Sequence, residues 1–157
     1  NKIGQLASSW KWTGPKTLLV TLREGAKFSD GSPLSSEDVV ATYSFLVKPN
    51  PQYPTPLAGA FVKVQSVKAV SASQVQFDLT EADTTFEDNL FIGILPKALA
   101  AGPMHTDAKQ IKGCGPFILS SVGISDYVLL RNESRHSAHR RSARRSQGPP
   151  ETAGHSG

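Results

Sequence analysis

The 157-residue sequence predicts an α+β domain, and three observations carry that reading. Two segments alternate apolar and polar residues at period two, Leu18/Val20/Leu22 and Val75/Phe77/Leu79, as half-buried strands do. One segment after Ser35 places Val39, Val40, Tyr43 and Leu46 at helical spacing behind a helix-start signal. Gly- and Pro-rich punctuation then separates short elements throughout. The length fits one domain able to bury a core without disulfides or metals.

In order along the chain, Trp10 and Trp12 lie two apart on an extended segment, so they share a face and serve as core or rim packing. Thr17–Arg23 is a strand. Asp30-Gly31 is a turn pair in which Gly supplies positive φ, and Pro33 keeps the preceding residue extended. Ser35 is the expected N-cap, answered three residues on by Asp38, and the helix runs from Ser36 to Val47. Glu37 and Asp38 suit the positive end of its dipole. Lys48–Pro56, with four prolines, is excluded from regular structure. Strands follow at Val62–Val70 and Gln74–Leu79, then a short helix at Thr85–Phe91 and a loop with one helical turn over Ala98–Lys112. A last strand pair, Phe117–Leu119 and Tyr127–Arg131, surrounds Gly123.

Composition excludes several classes of function. At 38% apolar and 19% charged residues the chain is an ordinary globular one, with no run of membrane-helix length and no secretory signal at its start. Its single cysteine, Cys114, excludes an internal disulfide and a cysteine-based zinc site. The net charge of +4 divides unevenly: ten Lys and two Arg against eleven acids in residues 1–132, five Arg against two acids in 133–157. Residues 133–157 hold no large aliphatic or aromatic side chain and are expected to be a disordered basic tail.

Taken together, Trp10, the Leu22-Arg23-Glu24-Gly25 strand end, Lys27-Phe28-Ser29-Asp30-Gly31 and the Ser35-led Glu37-Asp38-Val39 helix resemble the peptide- and nickel-binding proteins of ABC importers, solute-binding protein family 5. Further pieces in matching order are Val75–Leu79, Ile94-Leu95-Pro96-Lys97, Gly113-Cys114-Gly115-Pro116-Phe117 and Leu129-Leu130-Arg131-Asn132. Cys114 stands where the family usually has Thr or Ser. After Asn132 the family's Pro-x-Tyr element gives way to Glu133-Ser134-Arg135, a switch that reads as translation out of frame.

The resemblance implies the peripheral domain of the first lobe of a periplasmic binding protein, with a mixed sheet, over residues 1–132. Most of a family member's length is absent. It further implies a peptide or small-solute ligand, ABC permease subunits as partners, an extracytoplasmic location, no cofactor and no catalysis. Tyr53, Pro54, Thr55, Pro56 and Leu57 are the candidate ligand-facing residues, set against the plainer reading of that loop as a surface connection. Trp10, Asp30, Gly31, Ser35, Asp38, Gly113, Gly115 and Pro116 carry the structural motif.

Other constellations have plainer explanations. Turn and capping roles account for Asp30, Glu37 and Asp38 without acid–base chemistry or Ca²⁺. His105 is a lone loop histidine, and Cys114 a buried, inert thiol. Gly14-Pro15-Lys16-Thr17 lacks the glycine spacing of a phosphate loop, and Gly113-x-Gly115 lacks the third glycine of a dinucleotide fingerprint. Asn132-Glu133-Ser134 fits a glycosylation sequon. The rival functional reading is weak, salt-sensitive nucleic-acid or acidic-partner binding through Arg135, Arg140, Arg141, Arg144 and Arg145, without aromatics for stacking.

Overall fold

A computed structural model describes residues 5–48, 55–100, 111–123 and 126–132. The elements are β1 (Ala7–Gly14), β2 (Thr17–Leu22), α1 (Ser36–Val47), a 3-10 turn (Pro56–Phe61), β3 (Val64–Ser71), β4 (Gln74–Leu79), a second 3-10 turn (Phe86–Asn89), α2 (Lys97–Ala100), β5 (Phe117–Val122) and β6 (Tyr127–Arg131). They make an α+β fold of a four-stranded sheet in the order β1-β2-β4-β3 and a separate β5–β6 hairpin. A mixed sheet was expected; every pairing among the described strands is antiparallel.

Alternation decides which face of the sheet is buried. Trp10 opposes Val20, Trp12 opposes Leu18, Leu18 opposes Phe77 and Val20 opposes Val75, so one face carries all of these apolar side chains. Across it lies α1, whose Val39, Tyr43 and Leu46 enter the same core. Tyr43 stands edge-on to Phe61 and Phe77, at 5.4 and 5.0 Å between ring centres, and Phe86 closes the aromatic cluster 5.6 Å from Phe77. The opposite face is polar. There Asp78 accepts hydrogen bonds from Ser66 Oγ (2.8 Å), Gln76 Nε2 (2.8 Å) and Lys68 Nζ (3.1 Å).

The helix start forms as its sequence requires. Asp38 Oδ2 accepts from both the backbone N–H (2.8 Å) and the hydroxyl (2.9 Å) of Ser35, while Asp38 Oδ1 accepts from Lys97 N (2.9 Å). One buried carboxylate thus caps α1 and anchors α2 to it. Thr42 ties in the segment between: its hydroxyl donates to Asp38 O (2.9 Å) and accepts from Leu95 N (3.1 Å). The Asp30-Gly31 turn holds Gly31 at φ +82°, with Ser32 N donating to Asp30 Oδ1 at 3.0 Å.

Several elements differ from the sequence expectation. Pro56 opens a 3-10 turn instead of lying outside regular structure, because a proline at the first helical position gives up a donor that has no partner there anyway. That turn buries Phe61 and leaves Val62 75% exposed, so the next strand begins at Val64 rather than Val62. At Thr85–Phe91 only the 3-10 turn Phe86–Asn89 forms: Asp83 Oδ1 accepts from Thr85 N (3.0 Å), and Leu90 leaves helical conformation with ψ 42°. The turn in Ala98–Lys112 is α2, and β5 extends past Leu119 to Val122.

Candidate functional site

One concavity among the described residues gathers side chains far apart in sequence. Its walls come from β1 and β2 (Trp10, Val20, Leu22), from α1 (Val39, Tyr43), from the Leu90–Ile94 stretch and from Cys114-Gly115, and it encloses about 520 Å³. That volume lies in the range of small-ligand pockets. The lining is mainly apolar, with Gln5, Arg23, Lys27 and Glu87 supplying its charged or amide side chains.

Each wall follows from local physics. Val20 and Leu22 point inward because they alternate on β2, and Trp10 joins them through its register with Val20. Tyr43 reaches the same space one turn after Val39. Burial pushes the Tyr43 phenol well above its usual range, with a backbone hydrogen bond from Ile92 acting weakly in the opposite direction. It therefore stays a neutral hydroxyl at physiological pH and does not serve as a base. Arg23 Nε donates to Gln5 O at 2.9 Å, holding the rim of the cavity together.

Chemically the cavity suits an apolar side chain more than a polar headgroup. Among the described residues no group of three or more His, Cys, Asp or Glu is placed to hold a metal ion. Nor is any helix among them long and apolar enough to cross a membrane.

Of the candidate ligand-facing residues, Tyr53 and Pro54 lie outside the described residues. Thr55, Pro56 and Leu57 open the first 3-10 turn, where Thr55 Oγ1 accepts from Leu57 N at 3.3 Å and Leu57 is exposed; none of them lines the cavity. Among the motif residues, Trp10 and Gly115 do line it. Asp30 and Gly31 form their turn, and Asp30 Oδ2 meets Lys112 Nζ at 2.7 Å. Ser35 and Asp38 cap α1.

The Gly113–Pro116 motif fastens the hairpin. Gly113 O accepts from Ser29 N (2.8 Å), Gly115 O from Asn132 Nδ2 (3.0 Å) and Pro116 O from Asn132 N (2.9 Å). Asn132 is buried by those bonds, which removes the glycosylation reading. Gly14–Thr17 is the β1–β2 turn, with Lys16 Nζ on Thr80 O at 2.8 Å and no helix following, so it holds no phosphate.

Cys114 is half-buried at the cavity wall rather than fully buried, with Sγ 4.0 Å from Ile94 O. His105 and the tail arginines lie outside the described residues. The sequence reading missed Tyr43, Ile92 and Cys114 as neighbours around one cavity. Nothing local signals it, since the three lie in separate segments of the chain.

Comparison with known proteins places this geometry. Residues 2–139 match the family described as Bacterial extracellular solute-binding proteins, family 5 Middle. The chain is 33% identical over 136 residues to the probable D,D-dipeptide-binding periplasmic protein of Escherichia coli K12, covering 81% of this chain and 26% of that relative. It is 30% identical over 137 residues to the nickel-binding periplasmic protein of the same organism, covering 82% and 26%.

Among solved structures, the Bacillus subtilis oligopeptide-binding protein AppA in complex with a nonapeptide aligns with TM-score 0.72 at 28% identity, over 82% of this chain and 27% of that one. A peptide-binding protein from Clostridium difficile aligns with TM-score 0.74 at 20% identity, over 88% and 30%, a likeness of fold alone. The chain spans 26% of the length of the two curated relatives named. With residues 2–139 matched, the chain belongs to the bacterial extracellular solute-binding proteins of family 5.

Proposed function

We propose that the chain supplies scaffold from the solute-binding component of an ABC importer for peptides or a related solute such as nickel, outside the cytoplasm and without catalysis. The observation that carries this is the family match over residues 2–139 by a chain spanning 26% of its relatives. The names of those relatives, D,D-dipeptide-binding and nickel-binding, support these solute classes. Tight capture of a solute needs most of its surface enclosed, which takes two walls closing on each other. Residues 1–132 offer part of one wall and hold no solute tightly by themselves, and residues 133–157 contribute nothing to the role.

Where a solute does meet this chain, its contact is the loop Tyr53-Pro54-Thr55-Pro56-Leu57, supported by the exposed apolar Leu57 at the head of the 3-10 turn. Calorimetry with dialanine, trialanine and Ni²⁺ is expected to give dissociation constants no tighter than about 1 mM. A submicromolar value would overturn the claim that the chain alone does not hold solute. At millimolar trialanine, NMR shifts are expected at 53–57 and unchanged by deletion of 133–157. Shifts confined to Trp10, Tyr43 and Ile92 would move the site to the cavity.

A further inference from the structure

The cavity beside Trp10 divides into an apolar floor and a charged mouth. Its buried lining includes Val20, Leu22, Val39, Phe77 and Ile94, and among these buried walls only Tyr43 carries a polar side-chain atom. That hydroxyl already takes the Ile92 N–H, so the floor offers water little to bond to. A buried water needs several polar partners, and an apolar space without them stays dry and takes an apolar molecule instead.

The charged lining lies at the opening. Gln5 and Lys27 are exposed, and Arg23 and Glu87 are half-buried. Two cations against one carboxylate leave the mouth cationic, and Lys27 enters no ion pair among the described residues. Phe91 adds an aromatic ring to the same lining, 73% exposed beside the half-buried Leu90 and Ile92. A ring left in solvent at an apolar opening is available to pack on whatever enters.

We propose that this cavity binds a small arylalkanoate, a carboxylate carrying an aromatic ring on a short alkyl chain. The ring occupies the floor beside Trp10 and Tyr43, and the carboxylate stays at the mouth with Lys27 and Arg23. A space of about 520 Å³ admits a body of one or two rings. Aromatic walls favour an aromatic guest through offset or edge-on contact, the arrangement Tyr43 already makes with Phe61 and Phe77. At the mouth a carboxylate keeps much of its hydration and is drawn to the cations, whereas an ammonium on the same chain is repelled. Thr55, Pro56 and Leu57 are not among the walls, and the inference does not rest on the solute-binding reading.

The test sets 3-phenylpropionate, 3-phenylpropanol and 3-phenylpropylamine, alike in ring and chain but not in charge, against the full chain at low salt by NMR. The carboxylate is expected to bind with a dissociation constant of about 0.1–1 mM, as its size allows. It should move the Trp10 indole and Ile92 amide signals and leave Leu57 in place. The amine should bind at least about tenfold more weakly, with the alcohol between them. Lys27→Glu, at an exposed position, should reverse the order of acid and amine. Phe91→Ala should weaken the acid about threefold or more, and neither substitution should change the far-UV circular dichroism. Equal affinity of acid and amine overturns the proposal. So do shifts at Leu57 without Trp10, no binding of the acid at about 10 mM, or a Lys27→Glu chain that still prefers the acid.

Discussion

Asp30 shows how much one exposed turn residue holds in place. Its Oδ1 accepts from Ser32 N at 3.0 Å, which fixes the turn, and its Oδ2 meets Lys112 Nζ at 2.7 Å, which joins the turn to the segment leading into the hairpin. The Lys112 ammonium, then the Ser32 hydroxyl and N–H, hold the Asp30 carboxyl well below the usual carboxylate range. A carboxylate with a depressed folded pKa stabilises the fold above its unfolded value of about 3.9, and that stabilisation is lost as pH falls toward the folded value. Asp30→Asn should therefore cost about 0.5–1 kcal/mol at neutral pH, the size of a good surface ion pair. The difference from the parent should shrink below about pH 4. Urea midpoints at pH 7 and pH 3 measure it, and a difference that grows on acidification contradicts the assignment.

At the scale of elements, α1 depends on a single carboxylate. Asp38 receives the Ser35 N–H and hydroxyl on one oxygen and Lys97 N on the other. Asp38→Ala leaves Ser35 N and Lys97 N without their acceptor and should cost about 2 kcal/mol. Ser35→Ala keeps the backbone half of the pair and should cost about 1 kcal/mol. Equal losses in urea unfolding would place the stabilisation in the hydroxyl instead.

This helix was legible residue by residue, from Ser36 to Val47, because its cap and its apolar spacing are both local. The alternation of β2 and β4 was legible for the same reason. The order β1-β2-β4-β3 was not, since it depends on β2 and β4 meeting across more than fifty residues. The cavity was harder still. Trp10, Tyr43, Ile92 and Cys114 lie in four separate segments, and only tertiary packing brings them around one cavity. The short helix read at Thr85–Phe91 forms only as the 3-10 turn Phe86–Asn89, because nothing in the spacing revealed that Asp83 would accept from Thr85 N and that the chain would leave helical conformation at Leu90.

At the scale of the whole molecule, stability is unevenly distributed. Leu18, Val20, Val75 and Phe77 belong to one core cluster with α1 and the aromatic group around Tyr43. The β5–β6 hairpin is attached at its base instead, through Ser29 N on Gly113 O and the Lys112–Asp30 pair, while Asn132 closes the hairpin's own two ends on Gly115 O and Pro116 O. Opening free energies follow buried contact, so the amides of β2 and β4 should exchange only through global unfolding, and those of β6 through local opening of the hairpin. Hydrogen exchange should then separate the two by about a hundredfold or more at low protein concentration. Equal exchange rates in β2, β4 and β6 would mean that the hairpin opens only with the whole fold.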